Sequence, residues 1–258
     1  MAYLPSSSHT SRVTHGRPTT GTVDKTPDKT SGNTPDKTPS TGTIPRFDPF
    51  KKDPLVASLE HQVKDFLTEF TGDECFLAVP YKIATAEVKI ETFADDKDPI
   101  LAFDRTFLKA IGIEARVGGR LIAQPQCPSL AFVRAHPYGN PAPVETMPAN
   151  RVVKPGEPIT LAVAAARVRT LSMLVVWPDG QIFDLTDYLE RRGNRFAVTV
   201  KASGSGPQVI VAIDSAQPIP AAARAAAVKA RDLFSLFQDE HDARKLDVRA
   251  SVSLIVVE

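Results

Sequence analysis

The stretch LDVRASVSLIVVE, residues 246–258, places Leu246, Val248, Ala250, Val252, Leu254 and Val256 on one side of an extended chain. Alternation with period two marks a β-strand, because successive side chains leave opposite faces. A strand this apolar is expected inside a sheet, paired with neighbours. Upstream, PITLAVAAA (158–166), LSMLVVWPDG (171–180), QIFDL (181–185), RFAVTVKA (195–202) and PQVIVAID (207–214) follow in quick succession. Pro155-Gly156, Pro178-Asp179-Gly180 and Gly204-Ser205-Gly206 supply the reversals between them. Short strands at this spacing predict a β-sandwich over residues 149–258. One helix interrupts them. AAARAAAVKARDLFSLFQDE (221–240) is helical by propensity, and its amphipathic continuation to Lys245 is suited to covering the sandwich or to docking a partner.

Ahead of a Pro-rich hinge, Pro137 to Pro148, the pattern is different. DPLVASLEHQVKDFLTEF (53–70) puts Leu55, Leu59, Val63, Phe66, Leu67 and Phe70 on one helical face, with Asp53 as N-cap and Thr71-Gly72 as its end. CFLAVP and TAEVKIETF read as strands joined by a turn at Tyr81 to Ala84. In the second, Ala86, Val88, Ile90 and Thr92 face inward and Glu87, Lys89 and Glu91 face water. DPILAFDRTFLKAIGI predicts a helix capped by Asp98, buried through Ile100, Phe103, Phe107 and Ile111 and stopped at Gly112. IEARVGGRLIA returns as a strand or as a hairpin across Gly118-Gly119. QCPSLAFVRAH closes the unit as a helix with Cys127, Leu130 and Ala131 inward. The order β-β-α-β-α over about 65 residues makes a small two-layer module within residues 54–137. The fold class is therefore α+β.

Cys75 and Cys127 are the two cysteines of the chain. In an oxidising compartment a bond between them would close a loop of about 52 residues, contributing ~4 kcal/mol against unfolding on chain entropy. Two buried, reduced thiols are an alternative. A third makes Cys127, at a helix N-terminus, a reactive thiolate, although no His with a carboxylate partner stands near it in sequence.

Other side chains carry weaker signals. His9, His15, His61, His136 and His241 form no metal-ligand spacing, read as solvated surface groups, and suggest no metal or other cofactor. Trp177, Asp179 and Tyr188 flank one hairpin and are a candidate interaction surface, against the plainer reading of core packing and a turn. Arg191, Arg192 and Arg195 form a basic cluster expected on a solvated loop.

Residues 1–53 are built from Thr, Pro, Ser, Gly, Asp and Lys, and repeat Thr-Pro-Asp-Lys-Thr at 26–30 and 34–38. With little to bury, this stretch is expected to be a disordered linker. Thr26, Thr34 and Thr38 each precede proline and are candidate acceptors for a proline-directed kinase, unless the segment is a spacer alone. Across all 258 residues the net charge is +1, which argues against a nucleic-acid or anionic-membrane binder. There is no apolar run of about 18 residues, and MAYLPSSSHTSRVTHGRPTT lacks the apolar core of a secretory signal. A complete chain of this kind is expected in the cytoplasm, whereas a section of a longer, membrane-anchored polypeptide is expected in the periplasm or outside the cell.

The segments DECFLAVP, AEVKIETFADDKDPILAFDRTFLKAIGIEARV and QCPSLAFV together resemble a cysteine-paired module in the non-catalytic C-terminal region of bacterial Ser/Thr protein kinases, chiefly of alphaproteobacteria. The similarity lies in Cys75-Phe76, Ile90 to Phe93, the aromatic-rich helix from Phe103 to Phe107, Glu114-Ala115 and Gln126 to Pro128, with Thr92 where the pattern has glycine. LSMLVVWPDGQIFDLTDYL is similar to the β-sandwich that follows the module in those proteins. The likeness spans roughly residues 70–215. It implies paired cysteines, a position beyond a membrane span and Pro/Thr-rich linker, and a sensing or scaffolding role with a protein partner or envelope ligand. Kinase catalysis itself has no counterpart here: no Gly-rich phosphate loop, His-Arg-Asp or Asp-Phe-Gly occurs. A non-enzymatic accessory region is thus the expectation. The alternatives are an enzyme with a thiol-dependent site at Cys127 and a structural envelope protein tethered by its tail.

Overall fold

The computed structural model describes residues 54–70, 72–84, 87–137, 144–147, 151–164, 170–193, 195–220, 222 and 228–258. The chain starts its described part with helix α1 (Pro54–Glu69), followed by strands β1 (Leu77–Ala84) and β2 (Glu87–Ala94), helix α2 (Lys97–Ile111), strand β3 (Ala115–Leu121) and helix α3 (Cys127–Ala135). β1 and β2 pair antiparallel, and β2 and β3 pair parallel. Because α2 carries the chain back to start β3, the Gly118-Gly119 pair is not a hairpin. It lies mid-strand beneath the helix, where a Cβ at Gly119 would come within 3.2 Å of Ile100. The turn expected at Tyr81–Ala84 is likewise strand. β1 runs on to Ala84 with a register slip between Pro80 and Lys82, which an edge strand tolerates because its outer groups need no partner.

Helix α2 is capped by Asp96, whose carboxylate accepts from the Asp98 amide at 3.0 Å, so the cap stands two residues before the expected Asp98. Pro99 then falls in the first turn, where its missing N–H costs nothing. Gly112 ends the helix in the left-handed region, φ 75°. Between α1, α2 and the sheet, Phe66, Phe70, Phe76, Phe103 and Phe107 form one aromatic cluster, with Phe66–Phe107 and Phe70–Phe103 centroids 5.3 and 5.2 Å apart, both edge-to-face. Leu55 is exposed on the first turn of α1, outside the stripe assigned to it. The N-cap assigned to Asp53 and the whole linker lie outside the described residues.

The remaining strands build a sandwich. β4 (Glu145–Met147), β6 (Pro158–Ala164), β10 (Arg195–Lys201) and β9 (Glu190–Arg192) form a four-stranded sheet in the order β4-β6-β10-β9. β5 (Val152–Val153), β12 (Val248–Val257), β11 (Gly206–Ser215), β7 (Thr170–Val176) and β8 (Ile182–Asp184) form a five-stranded sheet in the order β5-β12-β11-β7-β8. β4 therefore occupies part of the segment expected to be a hinge. The 246–258 stretch holds the interior place its pattern requires, antiparallel to β11 over ten residue pairs and parallel to β5 on its other edge.

The five-stranded sheet is buried on both faces. One face meets the four-stranded sheet through Ile159, Leu161, Met173, Val175, Ile210 and Ile255. Its other face is covered by α3 and by α4 (Ala230–Arg244), with Leu130, Phe132, Leu233, Phe234 and Phe237 packed on Leu174, Val211 and Val252. Of the helix expected over 221–240, residues 221 and 223–227 lie outside the described residues; Lys229 is bridged to Gln181 and α4 starts at Ala230. In α3, Phe132 and Val133 are buried and Ala131 is only half-buried. Cys75, Leu77, Phe93 and Cys127 of the first module belong to this same core, so one apolar body runs across the change of sequence character at residue 137. Truncating Phe103→Ala, at the centre of the aromatic cluster, is expected to cost about 3–5 kcal/mol, read as a fall in the urea midpoint at unchanged slope.

Candidate functional site

The two sulfurs that the sequence left open are bonded to each other, with Cα atoms 4.8 Å apart, a normal disulfide separation. Cys75 sits in a turn before β1, where its amide donates to Asp73 Oδ1 at 3.0 Å. Arg134 of α3 locks the same turn by donating from Nη1 to the carbonyls of Asp73 and Phe76, at 2.9 and 3.1 Å. Asp95 approaches both sulfurs, yet bonded sulfurs offer no thiolate for a metal, and Cys127 holds no free nucleophile.

Beside Cys127, Gln126 does work that its sequence position did not reveal. It is fully buried. Its Nε2 donates to the carbonyl of Val176 at 2.7 Å and to that of Pro207 at 2.9 Å, and its Oε1 accepts from the Ala123 amide at 2.9 Å. The side chain thus ties the start of α3 to β7 and β11 at one point, through the buried Val176 and the half-buried Pro207. The Gln-Cys-Pro run is in this sense a clamp: one residue binds the sheet, the next binds the β1 turn.

The three residues of the candidate surface are not brought together. Trp177 and Tyr188 line a cleft of about 410 Å³ at one end of the sandwich, with Leu161 and Val200 from the four-stranded sheet and Phe183 and Ile255 from the five-stranded one. Tyr188 is 62% exposed and Phe183 48%, which leaves two aromatic rings at the mouth and aliphatic side chains at the floor. Phe183 was not singled out from sequence, though its i+6 distance from Trp177 across a Pro-Asp-Gly reversal was a usable signal. Three polar residues also line the cleft: Lys201, Ser203 and the buried Gln208, whose side chain donates to the Ser203 carbonyl.

Asp179 faces away, into a second cleft of about 490 Å³ that includes Cys127, Pro128, Lys229 and Arg231. There Oδ1 accepts from the Gln181 amide at 2.9 Å and Oδ2 from Lys229 Nζ at 3.1 Å. Those bonds, the Gln181 amide foremost, hold its carboxyl below the usual carboxylate range. Gly180, at φ 80°, makes the separation possible: a Cβ there would lie 3.3 Å from the Pro125 carbonyl.

Two further expectations change. His136 is 7% exposed rather than solvated. Its ring lies against Phe132 and His241, with centroids 4.6 and 4.4 Å away, and its Nε2 is 3.0 Å from Gln238 Oε1. Burial holds it below the ordinary histidine value. Arg191, Arg192 and Arg195 lie on β9 and β10, not on a loop, and each is engaged: Arg192 with Glu190 at 2.8 Å, Arg195 with Glu145 at 2.7 Å, and Arg191 over the Phe196 ring. His61 is exposed, 3.3 Å from Asp65. His9, His15, Thr26, Thr34 and Thr38 lie outside the described residues.

Comparison with protein-family models finds no match to this chain, and comparison with curated proteins finds none. Among the described residues no helix is long and apolar enough to cross a membrane.

Two measurements follow from these contacts. Gln126→Ala removes the donor to the carbonyls of buried Val176 and half-buried Pro207 and is expected to lower stability by roughly 1–3 kcal/mol, visible as a lower urea midpoint with the disulfide still formed. Glu87, held to about 2 by Lys82 first and Lys89 second, is depressed below its unfolded value. Its contribution is therefore full above about pH 4.5 and lost as pH falls toward 2. The difference in urea midpoint between wild type and Glu87→Gln is expected to shrink across that window, and a difference independent of pH would contradict the assignment.

Proposed function

We propose that this chain is a non-enzymatic recognition region, working as a sensor or scaffold in Ser/Thr kinase signalling or at the cell envelope. In this reading, the sandwich cleft accepts an apolar side chain presented by an extended segment of a partner protein. The observation that carries the reading is the cleft itself. Trp177, Phe183 and Tyr188 stand over a mostly aliphatic lining of Ile159, Leu161, Val175, Val200 and Ile255, the aromatic-rich composition of a protein-recognition hot spot. Its walls come from two sheets packed face to face, so binding needs little ordering of the site.

The link to kinases rests on the likeness of the Cys75 and Cys127 segments to the accessory region of those enzymes. A position outside the cytoplasm is supported by the bonded cysteines, since such bonds persist in oxidising compartments. The thiol-enzyme alternative would require Cys127 to be free.

Trp177 is the single tryptophan, so its emission reports on this cleft alone. The test is selection of a displayed random-peptide library on the oxidised protein, counter-selected on a Phe183→Ser/Tyr188→Ser variant, whose altered rings are solvent-facing. Enriched peptides are expected to share an apolar anchor, to shift Trp177 emission on titration, and to lose at least about tenfold in affinity for the variant. Enrichment that is equal on both proteins, or no enrichment, would overturn the assignment.

A further inference from the structure

The three-stranded sheet ends differently on its two sides. β1 forms one edge and is interrupted by Pro80 and a register slip, the devices that normally stop a free edge from recruiting another strand. β3 forms the other edge. Its pairing with β2 is continuous from Val88↔Ala115 to Ala94↔Leu121, it contains no proline, and among the described residues no strand pairs with its outer side. Gly118 is exposed at its middle, on the face opposite Ile100, and carries no side chain to cover the backbone there.

Charge sets what this edge receives. On the water-facing side of the sheet, Glu87 is shared by Lys82, by Lys89 at 2.9 Å and by Arg116 at 3.5 Å. Glu91 is shared by Arg120 at 2.8 Å and by Arg151, which reaches over from the loop before β5. Five cations thus meet two carboxylates, and Arg116, the most exposed of them at 77%, stands directly on the edge strand. Arg116, Gly118 and Arg120 share one face of β3.

From the continuous edge and the excess positive charge we propose that β3 is a strand-addition site for an acidic extended segment of a partner protein. Main-chain hydrogen bonds along Ala115–Leu121 supply the docking, and acidic residues four apart in the incoming strand meet Arg116 and Arg120. The residue between them lies over Gly118, where an aromatic ring covers the bare backbone. A second copy of this chain is the poorer occupant. Antiparallel self-pairing about Gly118 would put Arg116 opposite Arg120 twice, and like charges directly opposite are destabilising.

The probe is a fluorescein-labelled peptide, Thr-Glu-Thr-Tyr-Thr-Glu-Thr, blocked at both ends, followed by anisotropy against the intact oxidised protein. Saturable binding weakened by salt is expected, with no binding of the same peptide carrying Lys for Glu. Two N-methylated versions, substituted on alternate residues, distinguish strand addition from loose charge attraction. The version methylated on the docking side is expected to fail, and the other to bind like the parent. Arg116→Glu, a solvent-facing change, is expected to weaken the parent peptide about tenfold, whereas the Phe183→Ser/Tyr188→Ser variant binds it unchanged. Absence of saturable binding below ~1 mM, equal binding of both methylated peptides, or sedimentation showing a dimer that Arg116→Glu alters would each overturn the proposal.

Discussion

The structure depends on a sheet that is apolar on both faces. β12 and β11 pair over ten residues at its centre, and neither face can be left to water. One is closed by the four-stranded sheet and the other by α3 and α4. At about 25 cal/mol per Å² of apolar surface removed from water, this double covering is the largest favourable contribution available to the chain. It also explains why the small N-terminal module is not a separate bead. Leu77, Phe93 and Cys75 complete the helical layer of that sheet, so the module's outer strand end is part of the sandwich's own cover.

Two side-chain devices hold this junction in register. The disulfide fixes the start of α3 to the turn before β1, and Gln126 fixes the same turn of helix to β7 and β11. They act on adjacent residues but through different physics: the bond limits the unfolded ensemble, while the amide hydrogen-bonds the carbonyls of Val176 and Pro207. Arg134 and the Glu91–Arg151 pair add polar ties between the same regions. The joined modules present two surfaces of opposite character. The aromatic-rimmed cleft is apolar with little charge. The β3 edge is cationic with its backbone bare.

Much of the fold was legible in residue patterns. The period-two alternation of 246–258, the Phe103/Phe107 stripe and the reversals at Pro155-Gly156 and Gly204-Ser205-Gly206 each follow from local backbone and burial rules, and each stands in the structure. Errors arose where a local signal had two physical meanings. Gly118-Gly119 read as a possible turn because glycine tolerates one, but here glycine is needed so that Ile100 can approach the sheet. Tyr81 to Ala84 read as a turn between two strands, but β1 continues through them to Ala84 past a register slip after Pro80. His136 read as a surface group from its place before Pro137, yet the close of α3 turns it under α4.

Alternation and helical periodicity state which residues of a segment avoid water, and that much is local: it placed 246–258 as an interior strand and the Phe103/Phe107 stripe on a buried helix. The partners of those elements were decided only by tertiary structure. Nothing local to Gln126 says that carbonyls 50 and 81 residues away would need its amide. Nothing local to Asp179 says that its side chain would turn from Trp177 toward Lys229, 50 residues on. Those outcomes depend on which surfaces meet when the sheet closes, a long-range result of packing that no single stretch of chain encodes.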